Sequence, residues 1–567
     1  MRHLTRLPVR SLVYLPLAAT IVVCAEANPL LASPFNGDTL RTLAAIPVQI
    51  GGRHAPLDTA ARSAVEEVVG RQQWRGMSAV ELVLAWTITP QQWLDQPVIK
   101  VEHEPLKHAV GLDPSRRHFT YRELMACRQL ATLLDAADAS ARSGRPLSAL
   151  ERQANDIGRR IVTMQRFLHG RGIAMVPARD IGGPWALCSD ALEHPRGADI
   201  RSAWADTKAA FTARDDAGLR HASGRLAALL AADAPADYPT PAVIASELLY
   251  NRLHPFGWAW KLMTAAMVIG LIGIYARRNS WDALTGFATL VACGMFVYGF
   301  ALRWQVAGRA PLSNMYESLV VFAGSVPLFA LAFFILMRQR LVLVVASGLS
   351  AVGLVLADIL PIESSITTLP PVLRNTVWLT VHVLTIMLGY GAAALSMGIG
   401  HVQLGFHALA PKRVGQAREL MRLNHYVMLV AVIFLTAGIV FGAIWANASW
   451  GRYWGWDPKE TWSLITLLGY LGLLHARYTG WLRDFGSAVM SIVCFQLVLM
   501  TYYGVNYVLG TGLHSYGFGA GGLQWIAAYL GFETLVITAA LLRKRALDAT
   551  VGGRVPRVST AATTTPC

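Results

Sequence analysis

Repeated apolar stretches from Trp258 onward constrain this chain more than any other feature. Most are close to the roughly 20 residues that a membrane-spanning helix needs. Within a bilayer, backbone polar groups must be paired inside the segment, so runs of this kind form helices. Charged residues are 15% of the chain and hydrophobic residues 54%, whereas charged residues reach about 25% in ordinary globular proteins. The sequence therefore predicts an all-α, polytopic helical membrane protein with about nine spans: 258–276, 283–302, 316–336, 341–360, 377–408, 425–446, 462–476, 485–508 and 523–542.

The region before these spans divides into two parts. Residues 1–25 combine a basic start with an apolar run up to Cys24, which predicts a secretory signal or an uncleaved anchor. Residues 30–250 are polar, and their apolar residues recur at helical spacing. We expect a mostly helical domain at 30–250 on the extracytoplasmic side, a transmembrane domain at 258–545 and a flexible cytoplasmic tail at 546–567.

The net charge is +15, and the positions of the basic residues that produce it predict the membrane topology. If residues 30–250 lie outside, 15 of the 21 Lys and Arg residues after residue 257 fall on the inner side, as the positive-inside rule predicts. The six left outside are Lys261, Arg303, Arg309, Arg374, Arg452 and Lys459. Nucleic-acid binding needs a basic face with readout elements, and none is evident, so we expect no nucleic-acid partner.

The six cysteines form neither a CxxC pair nor a CxxCH haem attachment site. Cys127 and Cys188 could pair if their segment is exported, but two unpaired, buried thiols explain them equally well.

A tryptophan-rich segment lies between the sixth and seventh spans, on the predicted outer face. Its sequence is WGRYWGWDPKETW at 450–462. One explanation is an interfacial aromatic belt. A glycine-spaced run of rings beside charged residues instead favours a flat apolar ligand with anionic edges, such as a porphyrin, with the rings for stacking and Arg452 or Lys459 for carboxylates. The candidate ligand-binding residues are Trp450, Arg452, Tyr453, Trp454, Trp456, Asp457, Lys459, Glu460 and Trp462.

Haem iron is commonly held by histidine, and the predicted topology brings two histidines to this face. His382 lies near the outer end of the fifth span and His514 in the outer loop after the eighth, whereas His475 lies at the inner end of the seventh. A single intramembrane histidine often serves only as an interhelical hydrogen-bonding group. Three other histidines have no comparable setting and are interpreted as structural: His401, His407 and His425.

A second polar cluster lies on the predicted outer face, and helix capping and interhelical hydrogen bonding are its default explanation. Its members are Arg303, Asn314, Tyr316 and Glu317.

The segment WGRYWGWDPKETW resembles the "WWD" signature of haem-handling proteins, in the form found in the CcsA/ResC branch of system II cytochrome c biogenesis. Four further segments are similar to the same family: PLSNMYESL (311–319), WLTVHV (378–383), LLHAR (473–477) and GVNYVLGTGLHSYG (504–517). The resemblance covers roughly 258–545. A weaker one, in IPVQIGGRHAPLDTAAR (46–62), is to extracytoplasmic regions that accompany some CcsA-type proteins.

The resemblance implies a multi-pass protein of the bacterial cytoplasmic membrane, with the WWD loop on the periplasmic side. It implies haem b bound by the loop, His382 and His514 as axial ligands, and His475 as a histidine that helps haem enter from the inner side. Implied partners are a separate ResB/CcsB-type membrane protein, the CxxCH segment of apocytochrome c and thiol-reducing proteins, besides membrane lipid. No residue is predicted as a conventional catalytic acid or base.

Two rival functions stay open at this stage. One is a haem transporter or chaperone that leaves the attachment step to a partner. The other is a channel or secondary transporter, which predicts interrupted helices at matching positions of two repeats; no such repeat is evident in the sequence.

Overall fold

The computed structural model describes residues 35–192, 194–276, 278, 280–360, 362, 364–368, 377–509 and 523–552. The predicted signal or anchor at 1–25 and the predicted ligand His514 lie outside the described residues. The chain divides into two compact units, an N-terminal unit at 1–248 and a C-terminal unit at 249–567.

The N-terminal unit is mainly helical, as the periodicity predicts. Its helices enclose one apolar core, in which Trp86 and Leu106 are fully buried. The helices are α1 (Gly37–Ala44), α2 (Leu57–Val69), α3 (Ala79–Ile88), α4 (Glu104–Val110), α5 (Tyr121–Ala126), α6 (Arg128–Arg142), α7 (Ala149–Leu168), α8 (Gly197–Ala213), α9 (Asp216–Ala232) and α10 (Pro241–Leu253).

Four small antiparallel hairpins interrupt these helices. In the first, Pro47 pairs with Pro56 and Ile50 with Arg53. Its two-residue turn, Gly51 and Gly52, has φ angles of 57° and 78°, and twisted hairpins favour glycine there. The strands are β1 (Pro47–Ile50), β2 (Arg53–Pro56), β3 (Gln73–Trp74), β4 (Met77–Ser78), β5 (Ile99–Lys100), β6 (His118–Phe119), β7 (Ala174–Val176) and β8 (Ala186–Leu187).

The GRHAPLDT segment at 52–59 builds a buried clamp on α10. Two guanidinium nitrogens of Arg53 donate to the Glu247 carboxylate at 3.0 and 2.6 Å, and the Thr59 hydroxyl donates to the same carboxylate at 2.7 Å. The Glu247 side chain is only 2% exposed. This paired geometry satisfies a carboxylate that would be costly to bury alone, so the segment has a structural use within the N-terminal unit.

The cysteines in the described part of the chain are all free thiols, and Cys127 and Cys188 are not joined. Cys188 is buried, and burial raises the pKa of its thiol to about 12. The sequence left open whether Cys127 and Cys188 form a disulfide or stay unpaired, and the structure has them unpaired.

The C-terminal unit is a bundle of long helices. These are α11 (Pro255–Ala276), α12 (Ser280–Ala307), α13 (Met315–Met337), α14 (Arg340–Ile359), α15 (Val377–Leu409), α16 (Val414–Trp450), α17 (Pro458–Tyr478), α18 (Asp484–Leu499) and α19 (Leu523–Gly552), and a π-helix, Met500–Leu509, continues α18. The all-α polytopic fold class is thereby confirmed. Helix α19 continues to Gly552, so residues 546–552 are helical, although they were expected to belong to a flexible tail.

Eight helices in the described residues are long and apolar enough to cross a membrane, and the chain is an integral membrane protein. The seventh predicted span, 462–476, lies within α17, which has 21 residues but is not among the eight. Lys459 and Glu460 occupy its first turn and Arg477 its last, which lowers its mean hydropathy.

Helix α15 lies at the centre of this unit. It packs against α13, α16, α18 and α19, and most of its residues from Ile386 to Gly400 are buried. This packing places the N-terminal half of α15, which carries His382, beside the C-terminal end of α16.

We predict that Glu247→Ala lowers the free energy of unfolding of the N-terminal unit by about 3 kcal/mol, because it strands the buried Arg53 guanidinium. Arg159→Ala is the matched control. It removes an ion pair with Asp156 whose side chains are 72% and 42% exposed, and such pairs contribute about 1 kcal/mol or less. Pulse proteolysis of the full-length protein in urea, followed at cleavage sites within 35–248, measures both. Equal stability of the two variants would contradict the clamp.

Candidate haem-binding cleft

A cleft opens in the C-terminal unit where five segments converge. Its empty volume, including the mouth open to solvent, is about 1230 Å³. The walls come from the segment before α13 with the start of that helix, the N-terminal half of α15, the C-terminal half of α16, the loop between α16 and α17 with the start of α17, and the π-helix. The lining residues are mostly apolar or aromatic: Leu312, Ser313, Asn314, Met315, Ser318, Leu379, His382, Val383, Ile386, Met387, Tyr390, Ile439, Gly442, Ala443, Trp445, Tyr453, Trp454, Lys459, Glu460, Ser463, Tyr502, Asn506 and Tyr507.

His382 lies in the wall formed by α15. Its Nδ1 is 2.7 Å from the carbonyl oxygen of Gly438 on α16. A carbonyl oxygen can only accept, so Nδ1 carries the proton, and in the neutral imidazole Nε2 carries the lone pair. Metal-binding histidines have this arrangement, in which one ring nitrogen donates to a backbone carbonyl and thereby orients the other.

The close approach of α15 to α16 depends on Gly442. A Cβ atom at this position would lie 2.7 Å from Cε1 and 2.8 Å from Nδ1 of His382. On its other side the imidazole lies parallel to the indole of Trp445, with the ring centroids 6.3 Å apart and an interplanar angle of 4°. Trp445 is buried and packs edge-on against Trp450 at 4.7 Å.

The loop after α16 owes its conformation to the WDPKE sequence. Asp457 is the N-cap of α17 and accepts from the Lys459 backbone N–H at 3.0 Å, with Pro458 in the first turn. Glu460 closes the capping box by accepting from the Asp457 N–H at 3.2 Å, and it also accepts from the Gly455 N–H at 2.7 Å. The two carboxylates therefore fold the loop, and Glu460 additionally lines the cleft.

Two loop residues show how tightly the segment is bent. Trp456 has φ +57°, which is uncommon for a residue other than glycine, and its ring meets that of Trp454 edge-on at 5.8 Å. The space above Gly455 is filled by the guanidinium of Arg452, whose Nη1 lies 3.9 Å from a Glu460 oxygen. Trp454 and Tyr453 line the cleft, whereas 70% of Trp456 is exposed.

Lys459 supplies positive charge to the cleft. Its ammonium group donates to the side-chain oxygen of Asn506 in the π-helix at 3.2 Å. Burial lowers the pKa of Lys459 to about 8, partly offset by the Asp457 carboxylate. An anionic group bound beside it would favour its charged form.

The π-helix brings further side chains to the cleft. The Thr501 hydroxyl donates to the Trp462 carbonyl at 3.0 Å and fixes the π-helix to α17. The Tyr502 hydroxyl lies 2.9 Å from the Ser318 hydroxyl, across the cleft wall. π-Helical segments are frequent at functional sites, and this one turns Tyr502 and Asn506 toward the cleft.

A buried ion pair supports the wall formed by 312–318. Arg303 and Glu317 are both 2% exposed, and the Arg303 Nε donates to Glu317 at 3.0 Å. Glu317 also accepts from the backbone N–H and the hydroxyl of Ser313, each at 2.8 Å, and the Asn314 side chain caps α13. The default explanation for this polar cluster, capping and interhelical bonding, describes its contacts well.

The structure brings five of the predicted site residues together in one cleft: His382, Tyr453, Trp454, Lys459 and Glu460. Trp450 is connected to it through Trp445, whereas Arg452, Trp456, Asp457 and Trp462 belong to the loop or to α17 without lining it. His475 is in the last turn of α17, next to Trp481. It lies 17 residues along the helix from Pro458, which is about 25 Å. His514 lies outside the described residues.

Sequence reasoning missed Trp445, Tyr390, Tyr502, Asn506 and Tyr507. All five residues lie inside predicted spans, where aromatic and amide side chains commonly serve only in helix packing, so their positions gave no sign of a site. For Asn506, the informative contact is with Lys459, 47 positions earlier, and no local pattern reports a contact of that separation.

Comparisons with known proteins establish the family. A family model described as "Cytochrome C assembly protein" matches residues 281–514. Cytochrome c biogenesis protein CcsA of Prochlorococcus marinus (strain MIT 9515) is 31% identical over 305 residues, which cover 48% of this chain and 95% of that protein. This chain belongs to the CcsA family of cytochrome c biogenesis proteins. A second CcsA, from Prochlorococcus marinus subsp. pastoris (strain CCMP1986 / NIES-2087 / MED4), is 31% identical over 279 residues, 44% of this chain and 87% of that protein.

A longer relative extends the match beyond the C-terminal unit. Protein NrfI of Wolinella succinogenes is 30% identical over 495 residues, 82% of this chain and 53% of that protein. The chain thus spans about half the length of NrfI, and the match reaches into the N-terminal unit. Among solved structures, cytochrome c haem lyase CcmF gives a TM-score of 0.37 at 16% identity, over 52% of this chain and 51% of that chain.

We predict that the Lys459 amine reacts with acylating reagents unusually fast near pH 8. With a pKa of about 8, about half of the amine is neutral at that pH, against under about 1% for an ordinary lysine. The measurement is the rate of acylation of Lys459 against pH by mass spectrometry, with the same peptide in the unfolded chain as control. Asp457→Asn removes the carboxylate that favours the charged form and is expected to move the midpoint lower. A folded-state midpoint equal to the unfolded one would contradict the burial of this amine.

Proposed function

We propose that this protein binds haem b in the cleft beside the Trp-rich loop and presents it to the CxxCH segment of apocytochrome c. The observation that carries the proposal is the hydrogen bond from His382 Nδ1 to the Gly438 carbonyl. It directs the lone pair of an imidazole into an aromatic cleft that also holds Lys459. Each of these features matches one part of haem: the iron, the ring plane and the propionates.

The residues of the cleft fit this cargo chemically. His382 would hold the iron through Nε2, and the sequence resemblance suggests His514 as the opposite ligand. Trp454 and Tyr453 offer ring surfaces to the porphyrin. Lys459 would pair with a propionate in a charge-assisted hydrogen bond, in exchange for its neutral partner Asn506.

The chemistry of attachment belongs to the haem and the client thiols. Each thiol S–H adds across one vinyl C=C, so that sulfur bonds to one carbon and hydrogen to the other, giving a thioether. The contribution of this chain is positioning: a fixed imidazole and a fixed ring plane hold one face of the cargo while the client binds. We further propose that the client histidine replaces one axial ligand, which links attachment to release.

We extend the proposal to orientation and partners. The cleft would face the periplasm and His475 the inner side of the bacterial cytoplasmic membrane, in agreement with the distribution of basic residues. A ResB-type membrane protein and thiol-reducing proteins would act with it. The N-terminal domain, expected at 30–250, would lie on the periplasmic side.

We predict that His382→Ala abolishes the bis-histidine haem spectrum of the purified protein. Gly442→Ala should weaken haem binding about 10- to 100-fold, because its methyl group displaces the imidazole from the Gly438 carbonyl, and loss of such an orienting hydrogen bond has an effect of that size. Gly405→Ala, on the same helix as His382, is the control, since a Cβ atom there meets nothing within 4 Å. Absorption spectra and haem titrations measure all three, and wild-type affinity in Gly442→Ala would contradict the assigned role of His382.

The alternative function is a carrier that moves haem without forming the thioether. Purified protein mixed with reduced haem and a CxxCH peptide separates the two. The synthase proposal predicts a thioether product, detected by mass spectrometry, that disappears in His382→Ala. Tight haem binding without product, even with a ResB-type partner added, would identify a carrier and contradict the proposed presentation for attachment.

A further inference from the structure

A histidine and a glutamate meet between two membrane-spanning helices, away from the cleft. His401 is on α15 and Glu533 on α19, and both helices are among the eight membrane-spanning helices. His401 Nε2 is 2.8 Å from Glu533 Oε2. The Glu533 side chain is 6% exposed. An ionisable pair between membrane-spanning helices is costly and marks a candidate functional site.

The hydrogen bonds of the imidazole fix the proton count of the pair. Nδ1 of His401 lies 3.0 Å from the Met397 carbonyl oxygen, which can only accept, so Nδ1 is protonated. The short contact between Nε2 and Oε2 then requires one proton between them. The proton belongs either to an imidazolium facing a carboxylate or to a carboxylic acid facing a neutral imidazole.

Both arrangements leave the pair with no net charge. Removal of the shared proton would leave two lone pairs facing each other at 2.8 Å and a net negative charge in the membrane. We propose that His401 and Glu533 form an intramembrane proton-binding site, which holds one exchangeable proton between Nε2 and Oε2. The ligand of this site is a proton, and no haem contact is needed for it.

Polar groups around the pair give the proton a hydrogen-bonded surrounding. The Gln496 amide of α18 donates to the Tyr529 hydroxyl at 3.3 Å, and that hydroxyl lies 3.4 Å from the Met397 sulfur. Tyr529 precedes Glu533 by one helical turn and interacts electrostatically with it. The oxygen of the same Gln496 amide is buried without a hydrogen-bond partner in the described structure.

Within the described part of the chain, the other titratable groups near this network are Tyr470 of α17, which interacts with Tyr529, and Cys494 of α18, which interacts with Tyr470. The charged residues of α19 lie further along the helix. Arg543 donates to the Ala408 carbonyl, and Lys544 pairs with Asp548. Arg543 is ten residues from Glu533, which is about 15 Å along the helix, so it is too far away to compensate the Glu533 carboxylate.

The site also fastens α19 to the bundle. This helix is the least buried of the eight spans, and it packs chiefly on α15. The contacts of Glu533 with His401 and of Tyr529 with Met397 are therefore a large part of what orients it. Proton loss would break the first of these contacts, so proton occupancy and α19 packing are coupled.

The test is pH-difference infrared spectroscopy of the full-length protein in detergent micelles. On raising the pH, the pair should release one proton in wild type, seen either as loss of an imidazolium band with gain of a neutral imidazole or as loss of a carboxylic-acid band with gain of a carboxylate. Glu533→Gln should lack this change. His401→Gln should alter this change as well, because the shared proton loses one of its two acceptors.

His425→Gln is the matched control. His425 is a partly buried histidine on α16 whose ring packs against Tyr426, and its replacement should leave the one-proton change intact. Identical pH-difference spectra for wild type and Glu533→Gln, with helical circular dichroism retained in both, would overturn the proposal.

A second variant covers the case in which Glu533→Gln does not fold. Tyr529→Phe keeps the pair but removes the neighbouring hydroxyl. It should keep the one-proton amplitude and shift its midpoint. A midpoint unchanged from wild type, or absence of the one-proton change in wild type itself, would likewise count against an exchangeable proton at this site.

Discussion

The close packing of α15 on α16 is the constraint on which the rest of the C-terminal unit depends. Three glycines along this antiparallel contact leave no room for a side chain. A Cβ atom on Gly389 would lie 3.1 Å from the Leu435 backbone nitrogen, one on Gly438 would lie 3.1 Å from the Ile386 Cα, and one on Gly442 would meet His382. Small residues at helix contacts allow this kind of approach in membranes, where apolar burial between helices gives little driving force. Here the approach also creates the hydrogen bond from His382 to Gly438 and gives the cleft its fixed imidazole.

The sequence predicted the positions of the membrane-spanning helices better than their exact ends and internal geometry. The apolar runs located the helices well: the fifth run was expected at 377–408 and the helix covers Val377–Leu409, and the fourth was expected at 341–360 and the helix covers Arg340–Ile359. Hydrophobic length is a direct consequence of bilayer thickness, so it is readable from local sequence. The sixth run, expected at 425–446, is part of a helix that begins at Val414, because helical hydrogen bonding continues into polar sequence outside the apolar run. The π-helix at Met500–Leu509 has no counterpart in the hydropathy pattern.

The candidate site was only partly predictable for a related reason. A dense local motif such as WGRYWGWDPKETW can be recognised from the residues alone, and four of its members, Tyr453, Trp454, Lys459 and Glu460, do line the cleft. Motif membership does not separate the residues that fold a loop from those that face a ligand, and Asp457 is an example of the first kind. Trp445, Tyr502 and Asn506 reach the cleft only through helix packing and a π-helical turn, which act across long sequence separations. His401 shows the opposite case: interpreted as structural from its sequence context, it pairs with a buried carboxylate 132 positions away.

The central claim is that His382 is an axial ligand of haem presented beside the Trp-rich loop at 450–462. A cryo-EM structure of the haem-loaded protein tests this claim most directly. The account predicts iron bonded to His382 Nε2, with Nδ1 still donating to the Gly438 carbonyl and a propionate beside Lys459. Haem bound elsewhere in the chain, or in this cleft with the iron ligated only by other residues, would contradict it.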